Sequence, residues 1–106
     1  MKTAAEFIQE LPSKINPAAV EGLETCFHFD IAGEDGGEFT LNLANNELTV
    51  SPGFIGEPKC TVKASSENLM KVIKGETNPL MAIMMGKLKI SNQGEMLKYA
   101  KIFGLM

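Results

Sequence analysis

The hydrophobic period of this chain changes twice, and that change limits its architecture more than any other feature. Near the amino end, apolar residues recur every three to four positions. From Cys26 onward they alternate with polar ones. Phe27, Phe29 and Ile31 stand against Cys26, His28 and Asp30, and Phe39, Leu41 and Leu43 against Thr40 and Asn42. Leu48 and Val50 follow, then Cys60, Val62 and Ala64 against Lys59, Thr61 and Lys63. After Ser65-Ser66 helical spacing returns. A period of 2 marks half-buried strands, and a period near 3.6 marks amphipathic helices.

The punctuation between these blocks agrees. Thr3-Ala4-Ala5-Glu6 is a capping box, and Ala4, Phe7, Ile8 and Leu11 follow it at helical spacing, with Pro12 expected to end the helix. Asn16-Pro17 predicts a short second helix carrying Ala18, Ala19, Val20 and Leu23, closed by Gly22. Gly33 to Gly37 reads as a hairpin turn, and Asn45-Asn46 as a tight two-residue turn with positive φ. Pro52-Gly53 and Gly56-Glu57-Pro58 interrupt the strands. Ser65-Ser66 and Glu67 open a helix with the stripe Leu69, Met70, Val72 and Ile73, stopped by Gly75. Asn78-Pro79 opens another with Leu80, Met81, Ile83, Met84 and Met85, ended by Gly86. Leu88 and Ile90 make a fifth strand. A last helix runs from Gln93 to Phe103, with Met96, Leu97, Ala100 and Phe103 on one side, widened by Tyr99 and Ile102. The order ααββββααβα predicts an α+β fold, a five-stranded, mostly antiparallel sheet with helices on one face.

At 106 residues the expectation is one domain, residues 1–106, able to bury a core without disulfides or metal. The amino end has no leader pattern, so a cytoplasmic location is expected. Ten Lys, no Arg and a net charge of −3 argue against nucleic acid as a partner. The charge is uneven: residues 1–66 hold four Lys and ten acids, residues 67–106 six Lys and three acids. The second part can therefore approach an anionic surface.

Catalysis finds little to work with. A zinc site would need Cys26, His28 and Cys60 to converge. Alternation puts Cys26 and His28 on one sheet face and Cys60, with Val62 and Ala64, on the other. No Gly-x-Ser-x-Gly elbow is present. Gly33 to Gly37 is followed by a strand and contains Glu34 and Asp35, which disqualifies it as a phosphate cradle. No enzyme activity and no cofactor are expected. The run Leu80 to Met85, with Met70, Met96 and Met106, is more apolar than a short surface helix requires. By pattern alone it either fills a core or lines an apolar cavity.

The residues Phe27-His28-Phe29-Asp30-Ile31, Thr61-Val62-Lys63-Ala64 and Gly75-Glu76-Thr77-Asn78-Pro79 recur in one family, as does Met81-Ala82 leading to Gly86-Lys87-Leu88-Lys89-Ile90. In their order and spacing the chain resembles the sterol carrier protein type 2 family, nearly end to end. The resemblance implies a five-stranded sheet covered by helices that enclose an apolar tunnel. It also implies binding and transfer of sterols, fatty acids, fatty acyl-CoA or phospholipids without catalysis, with the last helix as a lid. The expected lining is Phe7, Phe29, Leu41, Leu69, Ile73, Met81, Met84, Met85, Leu97 and Phe103. Lys98 and Lys101 are expected to meet anionic membrane. The chain ends Gly104-Leu105-Met106 rather than in a Ser-Lys-Leu-type signal, so peroxisomal targeting is not expected. The alternative is a small interaction module that docks a partner protein through the Met-rich helices.

Overall fold

A computed structural model describes residues 3–15, 17–100 and 102. The elements run α1 (Ala4–Lys14), a 3-10 turn (Pro17–Val20), β1 (Thr25–Ala32), β2 (Gly37–Ala44), β3 (Glu47–Pro52), β4 (Cys60–Ser65), α2 (Ser66–Ile73), α3 (Pro79–Met84), β5 (Leu88–Ile90) and α4 (Gln93–Ala100). The predicted α+β class and strand count hold. The five strands lie in the order β3-β2-β1-β4-β5. β1–β2, β2–β3 and β4–β5 are antiparallel, and β1–β4 at the centre is parallel. The sheet is therefore mixed, and the long connection from β3 brings β4 back beside β1.

Side-chain alternation decides which face is covered. Phe27, Phe29, Phe39, Leu41, Leu43 and Val62 are all buried and belong to one apolar cluster. Helices supply the other half of that cluster: Ala4, Ile8 and Leu11 from α1, Leu69 and Val72 from α2, Ala82 from α3, Met96 and Tyr99 from α4. α1 packs over β3, α2 and α4 over β4, and α3 against β5. Tyr99 meets Phe27 edge-on at 5.8 Å between ring centroids. Each large side chain so buried contributes about 1.5–3 kcal/mol relative to exposure.

Local signals account for the element ends. Thr3 Oγ1 accepts from the Glu6 amide at 3.1 Å, which caps α1. Ser65 Oγ does the same for α2 through Asn68 N at 3.1 Å. Asn45 and Asn46 adopt φ of 54° and 62°, the left-handed pair that a two-residue hairpin requires. Two expectations need correction. Pro12 lies inside α1 rather than ending it. It removes one bond, the one its own N–H would have made to Ile8, only two residues before the helix ends at Lys14. Ser13 Oγ meanwhile donates to the Glu10 carbonyl at 2.8 Å. The second element is a four-residue 3-10 turn, not an α-helix. Gly22 at φ 76° follows within two residues and leaves no room for more.

Candidate functional site

The expected lining residues separate into two groups. Phe29, Leu41 and Leu69 are buried in the common cluster, and Phe7 and Ile73 pack half-buried at its rim. The ring of Phe7 also receives Lys14 Nζ at 4.8 Å from its centroid. Met81, Met84, Met85 and Leu97, expected inside, are instead 54%, 85%, 59% and 44% exposed. Helix geometry gives the reason. α3 has six residues and is seated through buried Ala82, with Ile83 half-buried beside it. A helix so short turns Leu80, Met81 and Met84 outward, and Met85 follows as the C-cap. On α4, Met96 and Tyr99 take the core-facing side, three residues apart, so Leu97 falls on the flank. Phe103 and Lys101 lie outside the described residues. Lys98 is exposed, with Nζ 5.6 Å from the Tyr99 ring centroid.

The opposite face of the sheet is polar and has its own cover, which sequence reasoning missed. The segment after β3 folds back across it. Phe54 stacks on His28 with centroids 4.8 Å apart and planes 4° from parallel. His28 Nε2 lies 3.0 Å from the Ile55 carbonyl oxygen. Thr40 Oγ1 donates to the Gly53 carbonyl at 2.7 Å and accepts from Ile55 N at 2.8 Å. His28 and Thr40 are buried as a result. The available signal was Pro52-Gly53 and Gly56-Glu57-Pro58, which marks a turn at each end of an apolar pair.

The cysteines divide as alternation required. Cys60 is buried among the core side chains, whereas Cys26 is half-buried on the polar face. Burial pushes both thiols up from their ordinary range, so both stay protonated at neutral pH. The Tyr99 phenol is also raised, first by burial and then by the nearby Glu95 carboxylate. Among the described residues no group of three or more His, Cys, Asp or Glu is placed to hold a metal.

The clefts are open ones. A pocket of about 380 Å³ lies between the start of α1, Asp35 in the β1–β2 turn, and Met70, Lys71 and Lys74 of α2. Another of about 390 Å³ lies on the polar face between Asn42, Thr49, Ser51 and Ile55. A third, of about 220 Å³, is lined by Asp30, Lys63, Ser65, Asn68, Lys87 and Lys89. An enclosed apolar tunnel is not among these pockets. Between sheet and helices, Phe27, Leu41, Val62 and Tyr99 are each no more than 1% exposed and fill the layer.

The pattern of the SCP-2 sterol transfer family matches residues 5–106, and the chain belongs to that family. Among curated proteins, the hydroxysteroid dehydrogenase-like protein 2 of Xenopus laevis is 32% identical over 108 residues. That match takes in 95% of this chain but 25% of the relative, so the chain spans about a quarter of it. Among solved structures, the sec-alkylsulfatase Pisa1 from Pseudomonas sp. superposes with a TM-score of 0.75 at 23% identity, over 95% of this chain and 16% of that one. The palmitated SCP2L2 of Aedes aegypti superposes with a TM-score of 0.66 at 22% identity, over 94% of this chain and 90% of that one. The fold is thus found both as a segment of longer proteins and as nearly the whole of a small one.

Proposed function

We propose that this chain is a non-catalytic lipid carrier. It takes an acyl or sterol-like ligand into the apolar layer between sheet and helices. A fatty acid, a fatty acyl-CoA, a phospholipid and a sterol-like molecule all suit that layer. The supporting observation is the contrast within α3, where Leu80, Met81 and Met84 face solvent and Ala82 is the one buried side chain. A helix held so lightly can swing away from β5 and admit a chain. Its methionines then adapt to the ligand, being unbranched and polarizable. Phe29, Leu41 and Leu69 form the floor of the binding layer, with Phe7 and Ile73 at its rim. Met81, Met84, Met85 and Leu97 guard the entry, and Phe103 is assigned to the apolar lining. The ligand held by the Aedes aegypti relative, palmitate, is of this class.

The energetics are adequate. Each buried methylene contributes about 0.8 kcal/mol, so roughly ten give about 8 kcal/mol before association costs of several kcal/mol. Micromolar affinity follows without any strong polar contact, and chain-length selectivity is low. Lys98 and Lys101 are assigned contact with anionic membrane during exchange, at about 1 kcal/mol each. In the same reading, residues 1–106 act as one lipid-binding unit that works in the cytoplasm. Among the described residues no helix is long and apolar enough to cross a membrane.

The test is titration of delipidated protein with a fluorescent fatty acid, followed by displacement with unlabelled lipids. Saturable one-to-one binding displaced by acyl chains is expected. Absence of binding by folded protein overturns the carrier reading. The exposure of α3 also supports a second reading, a surface that docks a partner protein. That reading takes over if no lipid enters.

A further inference from the structure

The sheet face turned away from the helices carries an ordered row of charge. In register, Glu38 stands opposite Asp30, Asp30 opposite Lys63, and Lys63 opposite Lys89. The acidic half of the row meets the basic half where Lys63 Nζ lies 4.0 Å from Asp30 Oδ2. Beyond that contact, two lysines face each other directly across β4 and β5. Like charges so placed are destabilising unless something anionic lies between them. Lys87, two positions before Lys89, adds a third. Among the described residues no carboxylate is paired with Lys87 or Lys89.

These three lysines line the 220 Å³ pocket, together with Asp30, Ser65, Asn68 and the backbone at Gly86. Three ammonium groups and one carboxylate leave the pocket cationic by two, on a chain whose net charge is −3. The surrounding sequence reinforces this, since residues 77–94 contain two lysines and no acid. Ser65 Oγ accepts the Asn68 backbone N–H at 3.1 Å and keeps its own hydroxyl proton, so Ser65 supplies a neutral donor on the wall. Lysine binds phosphate as a compact point charge, and a phosphate monoester carries close to two negative charges at neutral pH.

We infer that this pocket binds a phosphate monoester, presented either as a lipid headgroup or as a free small molecule. The site is separate from the apolar layer and does not rest on the carrier reading.

The test uses the full chain labelled with nitrogen-15. One arm adds glycerol 3-phosphate, and a second adds vesicles of phosphatidylcholine with or without phosphatidic acid. Amide shifts confined to Lys63–Asn68 and Gly86–Ile90 are expected in at least one arm. The double variant Lys87→Gln/Lys89→Gln should weaken binding roughly 25-fold, about fivefold per lysine. It relieves a like-charge pair and so should fold; melting and fatty-acid uptake within twofold of wild type verify this. Lys89→Gln alone serves as a second variant. Response to the soluble ester identifies a free phosphate compound as ligand. Response to phosphatidic acid vesicles alone identifies a headgroup. No localised shift in either arm, or shifts that survive the double variant, overturn the inference. Fatty-acid uptake is read separately, so failure of the carrier reading and failure of this one are distinguishable.

Discussion

Met84 shows how a single position separates binding from folding. Its side chain is 85% exposed, so it contributes little to the core. Met84→Asp should therefore change stability by no more than about 0.5 kcal/mol. In the carrier reading, the same change puts a charge at the entry of an apolar path and sharply weakens fatty-acid uptake. Chemical denaturation beside a fluorescent fatty-acid titration checks both. An equal loss in the two would make Met84 an ordinary structural residue. Phe29 is the contrast: it is 2% exposed, and truncation to Ala costs about 3–5 kcal/mol. Pattern could not tell these two apart, because both are apolar residues on correctly assigned elements. Position on a strand of period 2 is decided by parity, which is local. Position on a six-residue helix depends on which neighbour seats it, and that neighbour is β5.

At the scale of elements, α3 owes its start to one residue. Asn78 Oδ1 accepts from Leu80 N at 2.8 Å and from Met81 N at 3.4 Å, and Pro79 occupies the first helical position. Gly86 at φ 75° ends the segment one residue beyond the Met85 cap. Without wide burial the caps carry much of the element, since a helix this short is marginal alone. Asn78→Ala should cost about 1 kcal/mol and speed hydrogen exchange across Leu80–Met85 while leaving β1 and β2 protected. Unchanged exchange in α3 would show that packing against β5, not the cap, holds the helix. Caps and turns were legible here because they are short-range devices: Thr3, Ser65, Asn45-Asn46 and Asn78-Pro79 all act within four residues. The cover over the polar face was not legible. It joins His28 to Ile55 and Thr40 to Gly53, partners set by the path of the chain and not by spacing. The same holds for the lysine pocket, which needs β4 and β5 to be neighbours.

For the molecule as a whole, the buried acids give stability a definite pH dependence. The Cys26 and Cys60 thiols are raised chiefly by burial, and so is the Tyr99 phenol, with Glu95 adding to the effect on Cys60 and Tyr99. In each case the fold favours the protonated form, so the native state retains protons that the unfolded chain gives up. Stability is independent of these groups below their unfolded values, about 8.5 for Cys and about 10 for Tyr. It falls as pH rises through them. The melting midpoint should be level from about pH 7 to 8 and decline above about pH 8.5, and Tyr99→Phe should flatten the upper part of that decline. A midpoint that stays level to pH 10 would contradict the assignment.

The central parallel pairing carries a consequence for how the chain reaches its native state. β1, β2 and β3 are joined by short turns and can form a meander early, but one edge of β1 then stays open until β4 arrives from the second half of the sequence. Until then the row Phe27, Phe29 and Ile31 lacks its second strand neighbour, β4, and has no α4 above it. Non-local pairing of this kind slows folding toward the millisecond-to-second range, and an open hydrophobic edge invites pairing with another chain. Ribosome-bound or truncated chains that stop before β4 should therefore be the aggregation-prone form, whereas the finished sheet ends at β5, a three-residue strand bearing an exposed lysine.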